Sequence, residues 1–262
     1  MIYYVIADLH GRYDLLEKAI EAISEDNEDG VYKIITLGDY VDRGPHSNKI
    51  ISGLIGQQEA DNDFICLQGN HEAMMVETIR APLNPDWWIS NGGHTTLKSY
   101  GSTMKVSLYP GFPPFGYDPN VVPIEHVDWI ASLPLFYETE KQVFIHAGIP
   151  QPNMNLPPSS NTTKGESLRQ QMQWMLYDKR ESGGWKGKHV VHGHHQFADG
   201  PHVWHGPHGG RTNLDCYAWH TGRLVVGVFD DTQGHALRYL EVLGDDYKKT
   251  DNYSSVQRSA LD

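Results

Sequence analysis

Asp8, Asp39 and Asn70 recur at intervals of 31 residues, and each stands where a short apolar run ends. The runs are Ile2 to Ala7, Lys33 to Leu37 and Phe64 to Leu67. Two later runs deliver histidines in the same way: His146 closes Gln142 to Ile145, and His192-Gly193-His194-His195 closes His189 to Val191. Taken singly, an Asp or Asn after a strand is a helix cap or turn former, and a lone His is an ordinary polar group. The conjunction reads differently. Two carboxylates (Asp8, Asp39), one amide oxygen (Asn70) and three imidazoles (His10, His146, His194) gathered at one edge form a cluster that is stable only around a cation. Mixed oxygen and nitrogen donors without thiolate suit Mn²⁺, Fe or Zn²⁺, and a carboxylate able to bridge suits two ions roughly 3.5–4 Å apart. Two-metal hydrolysis is the chemistry such a pair performs.

The elements that must position these groups are legible as an alternation of strand and helix. Leu15, Leu16, Ala19, Ile20 and Ile23 mark a first helical face, Ile50, Ile51, Leu54 and Ile55 after Pro45 a second, and a third helix runs from about Glu72 to Ile79. This βαβ opening predicts that all the strand ends feed one edge of a single sheet, where α/β proteins bind ligands. Further along, helices are expected at 125–132 and 166–177, and strands at 142–146, 189–192, 223–229 and 236–242. The last two strands should form an antiparallel hairpin through Asp230-Asp231-Thr232-Gln233-Gly234. Gly101 to Pro123 and Pro150 to Gly165 read as irregular surface excursions. One catalytic domain is therefore expected over 1–243, followed by a polar, loosely ordered tail at 244–262.

Composition narrows the partners. The 262 residues are 39% apolar and 21% charged, ordinary globular usage, so disorder and coiled coil are set aside. A net charge of −12 repels phosphate backbones and anionic lipid, so neither nucleic acid nor membrane is expected as a partner. Cys66 and Cys216 lie 150 residues apart, outside any disulfide framework or thiolate site, and Met1 to Ala7 is too short for a signal or span, so a cytoplasmic location is expected. The histidines crowded after His189, among them His192, His195, His202, His205 and His208, are read as surface imidazoles in a turn-rich loop. Trp87, Trp88, Trp174, Trp185, Trp204 and Trp219 could wall a cleft but are more simply packing, and receive no role.

Ala7-Asp8-Leu9-His10-Gly11, Gly38-Asp39-Tyr40-Val41-Asp42-Arg43-Gly44 and Gly69-Asn70-His71-Glu72 resemble, in order and spacing, the G-D-x-H-G, G-D-x-V-D-R-G and G-N-H-E motifs of the phosphoprotein phosphatases, a family of the calcineurin-like metallophosphoesterase superfamily. Asn91-Gly92-Gly93, Thr96-Leu97, Phe144-Ile145-His146-Ala147-Gly148, Val190-Val191-His192-Gly193-His194 and Asn213-Leu214-Asp215 look like its bacterial and phage branch. The resemblance implies an α/β fold: a central mixed β-sandwich flanked by helices in α/β/β/α layers. It implies a first metal on Asp8 and His10, with Asp39 bridging to a second on Asn70, His146 and His194, and a hydroxide between the ions as nucleophile. His71 matches the family's general acid, Asp42 the carboxylate that orients it, and Arg43 the phosphate clamp. Arg180 matches the second phosphate-binding arginine if one residue is inserted. His194 is aligned by Gly193, although His195 follows where relatives have threonine. The implied activity is a metal-dependent phosphomonoesterase acting on phosphoprotein or phosphopeptide Ser and Thr, with Tyr as a further candidate. Dinucleoside tetraphosphate hydrolases of this superfamily carry V-A-R-G and G-N-H-D instead, so Asp42 and Glu72 argue against that alternative. A non-catalytic scaffold on the same fold is the third reading.

Overall fold

Strand β1 (Ile2–Ile6) sends Tyr3 and Val5, with Ala7 beyond its end, to one apolar cluster and Tyr4 and Ile6 to another, so it is buried on both faces. The computed structural model describes residues 1–27, 30–81, 85–103, 105–106, 115–116, 118–150, 167–177, 183–206 and 209–247, and in it β1 is the centre of the first of two five-stranded sheets. It pairs in parallel with β2 (Tyr32–Thr36), which pairs in parallel with β3 (Phe64–Cys66). Between them run helices α1 (Tyr13–Asp26) and α2 (Ser47–Ala60), and α3 (Asn70–Arg80) follows β3. Each buries the face that its apolar spacing predicts, Leu15, Leu16, Ala19 and Ile23 in α1.

Next come α4 (Pro85–Trp88), a π-helical turn (Ile89–Gly93), α5 (His94–Ser99), the short hairpin β4 (Lys105–Val106) and β5 (Phe115–Gly116), and α6 (Ile124–Ser132). Strands β6 (Phe136–Glu138), β7 (Gln142–Ile145), β8 (His189–His192), β9 (His202–Trp204) and β10 (Arg211–Asn213) make a second sheet, in the order β6-β7-β8-β10-β9. Helix α7 (Leu168–Trp174) covers its outer face through Leu168 and Met172. After α8 (Ala218–Thr221), strands β11 (Arg223–Asp230) and β12 (Arg238–Leu243) form the expected antiparallel hairpin and complete the first sheet beside β1. Tyr3, Val5, Ile35 and Phe229 of the first sheet meet Phe144, Val191 and Leu214 from the second in a shared core. The layers are therefore α/β/β/α, the expected fold.

One expectation is corrected: the strand ends do not share a sheet. The β11–β12 hairpin takes the place beside β1, so β7 and β8 build a separate sheet, and the ends of β1, β2 and β3 meet those of β7 and β8 at the junction of two. Helix α7 is also shorter than the expected 166–177, because Ser167 caps it, its hydroxyl accepting the Gln170 N–H at 3.2 Å. Residues 244–247, expected as loose tail, are tied down: Gly244 N–H donates to Gly222 O at 2.8 Å and Arg12 reaches Asp246 at 2.7 Å. Arg180, His208, the stretch 151–165 and the tail from 248 lie outside the described residues. Among the described residues no helix is long and apolar enough to cross a membrane.

The loop after β1 and the loop after β2 are laced together. His10 and Gly11 donate their N–H groups to Asp39 O and Tyr40 O, both at 2.8 Å, and Gly44 N–H returns to His10 O at 3.0 Å. The crossing is so close that a Cβ on Gly11, whose φ is +71°, would lie 2.5 Å from the Gly44 carbonyl carbon. Gly11→Ala combines backbone strain with that collision, and is expected to cost about 2 kcal/mol or more of unfolding free energy in urea titration. A loss under about 0.5 kcal/mol would show that the loops part freely.

Candidate metal centre

The loops that end the strands are strained where the chemistry is. Asp8, His10, Asp39, Asp42, Arg43 and His194 all hold φ between 41° and 72°, a region non-glycine residues rarely occupy and keep only where surrounding bonds enforce it. Glu72 supplies much of that enforcement. Its fully buried carboxylate accepts N–H bonds from Asp39 (2.7 Å), Tyr40 (2.8 Å), Val41 (3.2 Å) and Gly69 (3.0 Å), so one side chain on α3 fixes the loop after β2 and starts its own helix. Burial and the Asp39 charge push Glu72 up to about 8, while the bonds from Asp39 and Tyr40 pull it down. Sequence reading met Glu72 only as a motif letter; the Gly69-x-x-Glu72 spacing of a capping box was the available signal.

His10 donates through Nδ1 to Val41 O at 2.8 Å, and His146 through Nδ1 to Leu37 O at 3.1 Å. Both rings therefore turn the Nε2 lone pair inward, the arrangement that metal-ligating histidines use. His10 Nε2 lies 3.4 Å from Asp39 Oδ2, and His146 Nε2 lies 3.4 Å from Asp39 Oδ1, 2.8 Å from Asn70 Oδ1 and 3.2 Å from His194 Nδ1. Among the described residues two sets of donor atoms fall within 4.8 Å of one another: His10, Asp39 and His71, and Asp39, His146 and His194. Asp39 belongs to both. His194 is thus the imidazole at the cluster, while His195 packs its ring 4.5 Å from that of Phe197. Asp8 stands at the margin, its two oxygens each 3.1 Å from the His194 N–H, and joins neither set.

The electrostatics favour a divalent pair. Burial pulls the His10 and His146 rings below their usual range, and burial with the neighbouring His146 brings His194 to about 3, so all three are neutral donors. Burial raises the Asp39 carboxyl and the neighbouring histidines lower it more, but with His10, His146 and His194 neutral the countercharge that keeps it ionised falls to His71 and to a cation. Burial, then Asp215 and Asp39, push Asp8 far up, and burial brings Asp215 to about 7. Asp215 Oδ1 accepts the Tyr217 N–H at 2.8 Å, but the buried Oδ2 has no hydrogen-bond partner. Inward lone pairs facing other lone pairs, clustered buried carboxylates and one orphaned oxygen are together what cations would satisfy. The residues fit a dinuclear site.

Beside the cluster stand the groups singled out for acid catalysis and phosphate binding. His71 Nδ1 donates to Asp42 Oδ2 at 2.6 Å; burial lowers the ring's pKa, but Asp39 and Asp42 raise it more. The buried Asp42 carboxylate also accepts the Trp88 indole N–H at 3.0 Å and the Thr96 hydroxyl at 2.7 Å. Trp88, left without a role from sequence, is thus a hydrogen-bond donor that fixes Asp42. Gly92, at φ +110°, lets this segment close on the clamp, since a Cβ there would lie 2.8 Å from Arg43 N. Arg43 reaches His10 Nε2 at 3.0 Å and His71 Nε2 at 3.2 Å, so the guanidinium bridges two rings of the first donor set.

A family model described as calcineurin-like phosphoesterase matches residues 1–219. Serine/threonine-protein phosphatase 2 of Escherichia coli is 32% identical over 90 residues, 34% of this chain and 38% of that protein. The zinc-dependent endopolyphosphatase of Saccharomyces cerevisiae is 31% identical over 93 residues, 33% of this chain and 25% of that protein. The matches thus span well under half the length of these relatives. A solved structure provisionally described as a diadenosine tetraphosphatase superposes with a TM-score of 0.58 at 17% identity, covering 94% of each chain, a likeness of fold. For the cluster itself, Asp39→Asn is expected to lower bound Mn²⁺ from about two ions per chain to below one. Elemental analysis after loading and desalting reads this directly; two retained ions would remove Asp39 as the bridge.

Proposed function

The chain belongs to the calcineurin-like phosphoesterase family, and on that footing we propose that it is a phosphoprotein phosphatase that frees phosphate from Ser, Thr or Tyr side chains. Hydrolysis of phosphate esters at a dinuclear metal site is the family's chemistry; the protein substrate is the further step. Asp8, His10 and Asp39 would hold one ion, and Asp39, Asn70, His146 and His194 the other, with Mn²⁺ as the first choice. When bound, such ions acidify water and draw charge off the phosphoryl oxygens.

The remaining work falls to the side chains. Arg43 offers a planar fork to two phosphoryl oxygens, a geometry lysine cannot reproduce. In the structure the same fork donates to His10 Nε2 and His71 Nε2. An ester that draws the guanidinium onto its oxygens would release His71 Nε2 to carry a proton, with Asp42 at 2.6 Å behind Nδ1 to stabilise the charged ring. That proton then goes to the ester oxygen as its bond to phosphorus breaks. Asp42 acts through His71, and Trp88 and Thr96 act through Asp42.

The observation that carries the reading is the buried His71–Asp42 pair set against Arg43, the form expected from V-D-R-G and G-N-H-E rather than from a dinucleoside tetraphosphate hydrolase. The experiment compares kcat/KM of the Mn²⁺-loaded protein on phosphoserine and phosphothreonine peptides with that on diadenosine tetraphosphate. Peptides are expected to be preferred, and a large preference for the dinucleotide would install the other hydrolase reading. In parallel, His71→Asn should keep its metal yet lose about 100-fold or more on the peptides, while losing less than about tenfold on p-nitrophenyl phosphate, whose leaving group needs no proton. Equal losses on both would remove His71 as the acid.

A further inference from the structure

Trp219 divides the surface beside Arg43 into two hollows. One, about 400 Å³, is lined by Arg12, Arg43 and Trp219 together with three carboxylates, Asp14, Asp245 and Asp246. The other, about 490 Å³, is lined by Arg43, Asn91, Thr95, Gln196, Tyr217 and Trp219 among others, and no carboxylate stands among its described residues. Both sizes fall in the range of ordinary ligand sites, so charge decides between them. In the first hollow Arg12 is already paired with Asp14 and Asp246, and Asp245 with Lys18, so its charged groups are bound to one another, whereas the second holds no such pair among its described residues and sets Arg43 beside aromatic rings.

The second hollow has an aromatic wall. The Tyr217 and Trp219 rings meet edge to face, centroids 5.1 Å apart, and the Arg43 guanidinium carbon lies 5.5 Å from the Trp219 ring centre. The Trp219 indole N–H is buried without a hydrogen-bond partner, so the residue is held there for its ring rather than for its polar atom. Tyr217 is set in the left-handed region, φ +60°, with its N–H bonded to Asp215, which turns the backbone so that its ring and that of Trp219 share this wall. On a seryl ester a single methylene separates the ester oxygen from the backbone, leaving such a hollow largely empty. An aryl ester places a ring there.

Resting on the phosphomonoesterase reading, we propose that the hollow between Asn91 and Trp219 is a leaving-group site for an aromatic ring, and that aryl phosphates, phosphotyrosine among them, are the favoured substrates of this centre. Recognition is by stacking against Trp219 and by the absence of negative charge.

The test uses two peptides identical but for phosphotyrosine or phosphoserine, and the ratio of their kcat/KM values, which cancels the intrinsic reactivity of each ester when variants are compared. Trp219→Ala is expected to lower the phosphotyrosine-to-phosphoserine ratio about tenfold, and Trp219→Phe, which keeps a ring, to hold it within about threefold of the wild type. A second arm needs no turnover: the Mn²⁺-loaded protein should bind phenylphosphonate about tenfold more tightly than methylphosphonate, with the difference lost in Trp219→Ala. Phenyl phosphate, assayed alongside, separates the sources: a kcat/KM matching the phosphotyrosine peptide assigns the site to small aryl esters, a lower one to phosphoproteins. A ratio unmoved by Trp219→Ala, or equal binding of the two phosphonates, overturns the proposal. Should the wild type hydrolyse neither peptide, the phosphatase reading falls, and the phosphonates still decide the aryl site.

Discussion

A buried carboxylate facing four imidazoles is the constraint on which the rest depends. Asp39 is almost wholly buried, and its two oxygens lie 3.4 Å from His10 Nε2 and from His146 Nε2, with His71 Nε2 at 3.9 Å. Such a group is stable only if its charge is matched, and with His10, His146 and His194 neutral that demand falls on His71 and on a cation seated among the lone pairs. The fold answers by bringing strand ends to it: β1 supplies His10 two residues beyond Asp8, β3 supplies Asn70 and His71, and β7 and β8 supply His146 and His194. Moving any one of these loops exposes or unbalances the same charge.

Holding that geometry costs conformational strain at six residues spread over three loops, and hydrogen bonds to buried carboxyl groups are the compensation. Each such bond contributes about 0.5–1.5 kcal/mol net, so four N–H groups on Glu72 together offset the roughly 1–3 kcal/mol of strain at one or two of these residues. Asp42 is fixed by the same economy, between Trp88, Thr96 and His71. His71 and the loop after β2 are thus positioned by buried groups that stand behind them.

The sequence was most readable where chemistry and local pattern coincide. Asp8, Asp39 and Asn70 each follow a strand whose apolar run is unmistakable, and the loops they open converge as their spacing suggests. The partners of those residues were not readable, because Trp88 and Thr96 lie 46 and 54 positions beyond Asp42, on either side of a kink at Gly92 that breaks helical periodicity. The second sheet was hidden for another reason. Strands β6, β9 and β10 are three residues each, too short to show a period, and nothing local tells that β11 will take the position beside β1. Asp215 was visible as a letter in Asn213-Leu214-Asp215, but its orphaned oxygen is a property of burial alone.

The donors at the centre come from both layers of the sandwich: His10, Asp39 and Asn70 from the first sheet, His146 and His194 from the second. Elsewhere the sheets adhere through packed side chains such as Phe144 and Phe229, contacts that exclude water but carry no directional bond. Ions seated at the seam would act as rivets, adding a directional cross-link at one end of an otherwise greasy interface. Chelation would then loosen the sandwich from that end like a hinge, and the apoprotein would breathe there first, a mechanical duty for the metals quite apart from hydrolysis.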